Sequence, residues 1–237
     1  VFFRPKNLTF AYNILSYSAN YYDESTNARG NCLKIKHGAT KDTAGYNRVF
    51  GNTMWNCLES CVASGQPNTA IYKNRCGNSP SVVELANLGG PTCLGNITVF
   101  NNTGVSVDSL MMYQPHTATE PLGQVSVSNN VVKANTPNMT THSERGMIKV
   151  GEYGDAVTEV EVRSKALLRS LNNCYENSSG GVDFEYFTGS KAPGTGSTTP
   201  LDWRSRLHYD SSSYVGSTSL DSMHDSLSRM CAYRGWR

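Results

Sequence analysis

The chain is poor in charge: Asp, Glu, Lys and Arg make up 17% of its 237 residues. It is also poor in hydrophobic residues, at 38%, below the usual share for a compact domain. No apolar run approaches the ~20 residues that a bilayer crossing needs, so no membrane span is expected. No Lys/Arg block stands out, and the formal net charge is +2. That is too little for a nucleic-acid footprint, and no nucleic-acid partner is expected. The opening VFFRPKNLTF lacks the basic start and apolar core of a signal peptide, which is consistent with a mature chain beginning at Val1. Cys-x-x-Cys, the Walker loop, the nucleophile elbow, His-Glu-x-x-His and Gly-x-Gly-x-x-Gly are all missing. Each of these absences removes a common enzyme class.

Ser, Thr, Asn and Gly fill the space that charge and hydrophobes leave, with 22 Asn and 21 Gly. Aromatics remain at 10%, so the chain has the material for a core and does not read as disordered. A surface of hydroxyls and amides suits secreted β proteins, fibre subunits and coats.

The seven cysteines are Cys32, Cys57, Cys61, Cys76, Cys93, Cys174 and Cys231. Structural zinc takes four Cys/His ligands, usually as two close pairs, and only Cys57 and Cys61 lie close together. No metal and no cofactor are expected. Disulfides fit better, with one of the five N-terminal cysteines left over and Cys174 paired with Cys231, the two cysteines of the second half. Five Asn-x-Ser/Thr sequons stand at Asn7, Asn96, Asn101, Asn138 and Asn177. Roughly four would arise by chance at this composition, so they mark candidate glycosylation positions without arguing for secretion.

The apolar segment 1–15 reads as a strand or linker able to add to the sheet of another copy of the chain. In NTMWNCLESCVASG the spacing of Trp55, Leu58 and Val62 predicts a helix, capped by Asn52 or Thr53 and ended by Gly65. From 103 onward, short β-like runs alternate with turn residues, which predicts an antiparallel β-sandwich over 103–237. KALLRSLNN reads as a short helix, and no internal repeat is evident.

The segments SANYYDESTNAR, MWNCLESC, IYKNRCGNS and GGPTCLGNITVFNN together resemble a WSC domain, a PAN/apple-like cysteine-rich extracellular module. The resemblance covers residues 18–102; the remainder resembles no family. Tyr21 and Asn74 stand where such modules carry cysteine, so the copy is degenerate, and Cys32 has no counterpart. The resemblance implies a small disulfide-rich α+β module over 16–102 that associates with glycan or wall polymer. The matching carbohydrate-binding candidates are Tyr22, Asp23, Tyr72 and Asn78.

These readings converge on a mainly β, extracellular, non-catalytic structural protein, a subunit of a surface filament, wall or coat. Two alternatives stand beside it. One is a monomeric secreted glycan-binding or adhesion protein. The other is a secreted enzyme whose groups meet only in space, with His208 beside Asp210 and His224 beside Asp225 as the nearest approaches to an acid–base pair.

Overall fold

The structure, a computed structural model, describes residues 2–3, 7–16, 30–35, 45–85, 95–114, 123–134, 147–151, 164, 166–177, 184–186, 197–198, 207–210 and 212–216. Strands dominate them: β1 (Phe2–Phe3), β2 (Thr9–Ala11), β3 (Ile14–Ser16), β4 (Leu33–Ile35), β5 (Asn47–Phe50), β6 (Thr53–Trp55), β7 (Ser60–Ser64), β8 (Thr69–Tyr72), β9 (Arg75–Leu85), β10 (Ile97–Phe100), β11 (Thr103–Tyr113), β12 (Val125–Ser128), β13 (Val131–Ala134), β14 (Ile148–Val150), β15 (Leu168–Leu171), β16 (Cys174–Asn177), β17 (Phe184–Tyr186), β18 (Ser197–Thr198) and β19 (Tyr214–Gly216).

The strands form a parallel β-solenoid. Among the described residues every strand pairing is parallel except β17 with β18. One face is the sheet β15-β12-β10-β8-β5-β2. A second face runs β3-β6-β9-β11-β13-β16-β19, and a third runs β1-β4-β7-β9-β11-β14-β17. The long strands β9 and β11 belong to both. Residues 75–77 of β9 pair with β6 and residues 81–85 with β7. β11 likewise pairs with β13 near its start and with β14 near its end.

Each strand sends alternate side chains inward, so each face contributes stacked interior columns. Val49, Ile71, Val99 and Val127 stand in register on the first face, all at 0% exposure. Met54, Cys76, Gly104, Val132 and Tyr175 form the matching column on the second face. Leu33, Val62, Val83, Met111 and Ile148 form one on the third. The three columns meet in one core.

The corners hold most of the asparagines among the described residues. A chain that leaves one face for the next must turn sharply, and left-handed backbone does this in a single residue. Asn adopts it more readily than other non-glycine residues. At the first corner the residues with positive φ are Tyr12, Gly51, Lys73, Asn101, Asn129 and Asn172. At the bend between second and third faces they are Asn56, Asn78 and Ser106. Where the chain enters the first face they are Asn7, Asn68 and Asn96.

The expected antiparallel sandwich over 103–237 is therefore incorrect. Turn-bounded short strands look alike in a hairpin and in a solenoid, and here each turn leads onto a new face instead of back along the old one. The expected α+β module over 16–102 is incorrect too. The segment read as a helix over 52–65 holds β6 and β7. Asn52 turns a corner there, and Trp55 points outward. KALLRSLNN contains β15, with only a helical turn at 164 and 166–167 before it. The sheets run without a break across residues 102–103, because β9 pairs with β11 and β10 with β12.

Two disulfides lie in the core at the N-terminal end. Cys32 is bonded to Cys57 and Cys61 to Cys76. The Sγ atoms of Cys57 and Cys61 approach to 3.6 Å, so the two bridges pack against each other. Cys174 is also disulfide-bonded, to a partner outside the described residues; Cys93 and Cys231 lie outside them.

Candidate functional site

The first corner carries the most developed side-chain arrangement of the described residues. Directly after each left-handed residue comes a buried asparagine: Asn13, Asn52, Asn74, Asn102, Asn130 and Asn173, of which all but the partly buried Asn13 are almost fully enclosed. Their sequence separations are 39, 22, 28, 28 and 43 residues. From Asn52 onward each Oδ1 accepts two hydrogen bonds from the asparagine of the coil before it. Asn102 shows the pattern: its Oδ1 accepts from Asn74 N at 3.1 Å and Asn74 Nδ2 at 3.0 Å. Its own Nδ2 donates to Ile71 O and to Asn130 Oδ1, both at 3.0 Å. The amides thus satisfy backbone groups that the corner leaves unpaired inside the protein.

The ladder ends differently at its two sides. At the C-terminal side Asn173 N donates to Ser213 Oγ at 2.8 Å. Asn173 Nδ2 donates to Asp210 Oδ1, which also accepts from Ser170, Tyr175 and Ser213 hydroxyls. At the N-terminal side Asn13 donates to Asn52 Oδ1, but no described coil donates to Asn13 Oδ1.

Outside the ladder stands a column of aromatics. Phe50 and Tyr72 stack at 4.9 Å, Tyr72 and Phe100 at 4.8 Å, and Tyr12 meets Phe50 edge-on. Beside it the side chains of the corner open a polar groove of about 520 Å³. Lys73, Asn101, Thr103 and Asn129 form its rim, and Asn102 and Val131 its floor. Among the described residues Lys73 makes no ion pair and no carboxylate lines the groove.

A second patch lies at the bend between the second and third faces. The Trp55 ring covers Gly77, where even a Cβ would collide with it at 1.7 Å. Trp55 nonetheless stays 42% exposed. Beside it Asn78 Nδ2 donates to Asn56 Oδ1. On the adjacent strand β11, Asp108 is half-buried, and burial raises its carboxyl to about 6.

The sequence candidates do not gather at one place. Tyr72 has both ring faces covered by Phe50 and Phe100, so only its edge and hydroxyl can meet a ligand. Asn78 is exposed but its amide is engaged by Asn56. Tyr22 and Asp23 lie outside the described residues. Of the sequons, Asn7, Asn96 and Asn101 are exposed, Asn177 is 6% exposed, and Asn138 lies outside the described residues. His208 is exposed while Asp210 is buried at 0% and occupied by the ladder, so this pair is not poised for acid–base chemistry. His224 and Asp225 lie outside the described residues. No group of three or more His, Cys, Asp or Glu is placed to hold a metal among the described residues. No described helix is long and apolar enough to cross a membrane.

Lys73, Asn101 and Asn129 escape a sequence reading that looks for aromatics and carboxylates. The available signal is a short pattern, an apolar strand followed by a turn residue and Asn: VFGN, IYKN, VFNN, VSNN and SLNN. Comparison with protein-family models, curated proteins and solved structures finds no match to this chain.

Proposed function

We propose that this chain is a non-catalytic extracellular structural protein, a rigid subunit of a surface assembly such as a filament, wall or coat. The observation that carries the reading is the edge made by β2 and β3, onto which no described strand adds from the N-terminal side. Asn13 Oδ1 lacks the two donors that every later ladder asparagine receives. Around it Tyr12 is 79% exposed and Ile14 83% exposed. Unpaired strand edges with exposed hydrophobes are templates for further strands. A second copy of the chain is the occupant proposed for this edge. The disulfide-containing core supports an extracellular setting for it.

The N-terminal segment already pairs within its own chain, β1 with β4, β2 with β5 and β3 with β6. It therefore offers its outer edge to a neighbour and need not leave its own sheet. Light scattering over a concentration series tests this with Ile14→Lys, which places a charge on β3 without touching the core. The wild-type chain is expected to assemble, and the variant to remain at the 25.9 kDa of the single chain with an unchanged melting temperature. A wild-type chain that stays monomeric at all concentrations, in scattering and in negative-stain images, sinks the reading.

A further inference from the structure

We infer that the first-corner groove is a binding site for an acidic oligosaccharide lying along the solenoid axis. The inference is independent of the assembly proposed above, because it uses a different surface. The groove is walled by residues from three successive coils, Lys73 from one, Asn101 and Thr103 from the next, Asn129 and Val131 from a third. Such a site is extended along the axis and built from repeated positions.

Its chemistry selects the ligand. The rim offers the Lys73 ammonium group, the Asn101 carboxamide and the Thr103 hydroxyl, which suit the hydroxyls and ring oxygens of a sugar. Lys73 faces the groove, and among the described residues it makes no ion pair and no carboxylate lines the groove. An anionic group on the ligand would complete the charge, and a carboxylate or sulfate on a sugar supplies one. Tyr72, the aromatic next to Lys73, offers no stacking face, since it is sandwiched at 4.9 and 4.8 Å between Phe50 and Phe100. The groove rim itself is polar, which favours a charged and heavily hydroxylated chain. Coils repeat along the axis at the spacing of these stacked rings, close to the length of one sugar unit in an extended chain. Successive rungs can thus meet successive units.

The backbone makes the test clean. Lys73 has φ of 54° and its equivalents in the next coils, Asn101 and Asn129, have 55° and 56°. Lys73→Asn removes the cation, keeps a residue suited to left-handed backbone, and copies what the next coils carry. Asn101 opens an Asn-Asn-Thr sequon, and a glycan there would fill the groove. The measurement therefore uses full-length protein shown by mass spectrometry to be unmodified at Asn101.

Isothermal titration calorimetry is run with three probes: a uronic-acid oligosaccharide, a sulfated oligosaccharide and a neutral glucan of equal length. At least one acidic probe is expected to bind about tenfold or more tightly than the neutral one, and Lys73→Asn to lose that margin. Raising the salt is expected to weaken the wild-type binding. Which acidic probe binds better separates carboxylate from sulfate recognition. No binding of either acidic probe, equal binding of the neutral one, or full acidic binding by a folded Lys73→Asn variant would each overturn the proposal.

Discussion

Asparagine has two separate tasks in this chain, and they alternate along it. At Asn101 and Asn129 the residue is chosen for its backbone, at φ of 55° and 56°. At Asn102 and Asn130 it is chosen for an amide that both donates and accepts in a buried corner. Replacing Asn102 with Ala strands Asn74 N–H and Ile71 C=O without partners, since Asn102 serves both. A loss of about 2–4 kcal/mol is expected from buried groups left unsatisfied. Urea unfolding measures it, and a loss near zero would mean that water replaces the amide. Asp108 is a different case, because its surroundings are hostile to its charge. Burial raises its carboxyl from 3.8 to about 6. Between those values the folded state holds the proton more tightly than the unfolded state. Stability from this group is therefore greatest at low pH and declines as pH rises from about 4 to about 6. Asp108→Asn should remove that decline, so the variant gains on wild type at pH 7 and not at pH 3.5. Melting temperatures across that range decide it.

Elements here are too short to be stable alone; most described strands have two to five residues. A parallel strand gains its partners only when a complete coil has been laid down, so closure entropy precedes any reward. The disulfides reduce that cost where the core begins. Cys61–Cys76 ties β7 on the third face to β9 at its second-face end across 15 residues. Replacing both cysteines by Ala should cost about 2–4 kcal/mol, mostly through the freed unfolded chain. Thermal unfolding of the double variant beside the wild-type protein measures this. A variant as stable as wild type would show that the stacked interior columns suffice. The same elements explain a failed expectation. The four-residue interval from Cys57 to Cys61 matches one helical turn, yet those residues span a connection between β6 and β7. Each pairs across the core, with Cys32 and Cys76, and that tertiary bonding outweighs local helical preference.

At the scale of the whole molecule, a solenoid has two ends and no closed surface, so its ends govern how it meets other molecules. Among the described residues the C-terminal side of the ladder runs into the buried Asp210 network, while the N-terminal side begins at Asn13. The proposed assembly joins a like partner at that N-terminal side. The Ile14→Lys experiment reads that property directly. The groove belongs to this scale as well, because no single coil contains it. Lys73, Asn101 and Asn129 are 28 residues apart at each step and meet only after two further turns of the chain.

Sequence by itself determined the material of this protein: short strands, abundant turn residues, low charge and enough cysteine for bridges. In VDFEYF apolar residues alternate with acidic ones, and Phe184 is an inward residue of β17 at 0% exposure. What it could not determine was the direction in which strands pair. Alternation along a strand is the same in parallel and antiparallel sheets, and the parallel partners here lie 21 to 43 residues away. The unequal ladder separations also hide the repeat from any search at a fixed period. Only tertiary structure decided that the Asn of each VFGN-like turn faces inward to the next, and that the residue before it lines one groove. The reason is physical. A buried amide in a corner is favourable only when another coil supplies its partner, and that partner is set by three-dimensional stacking.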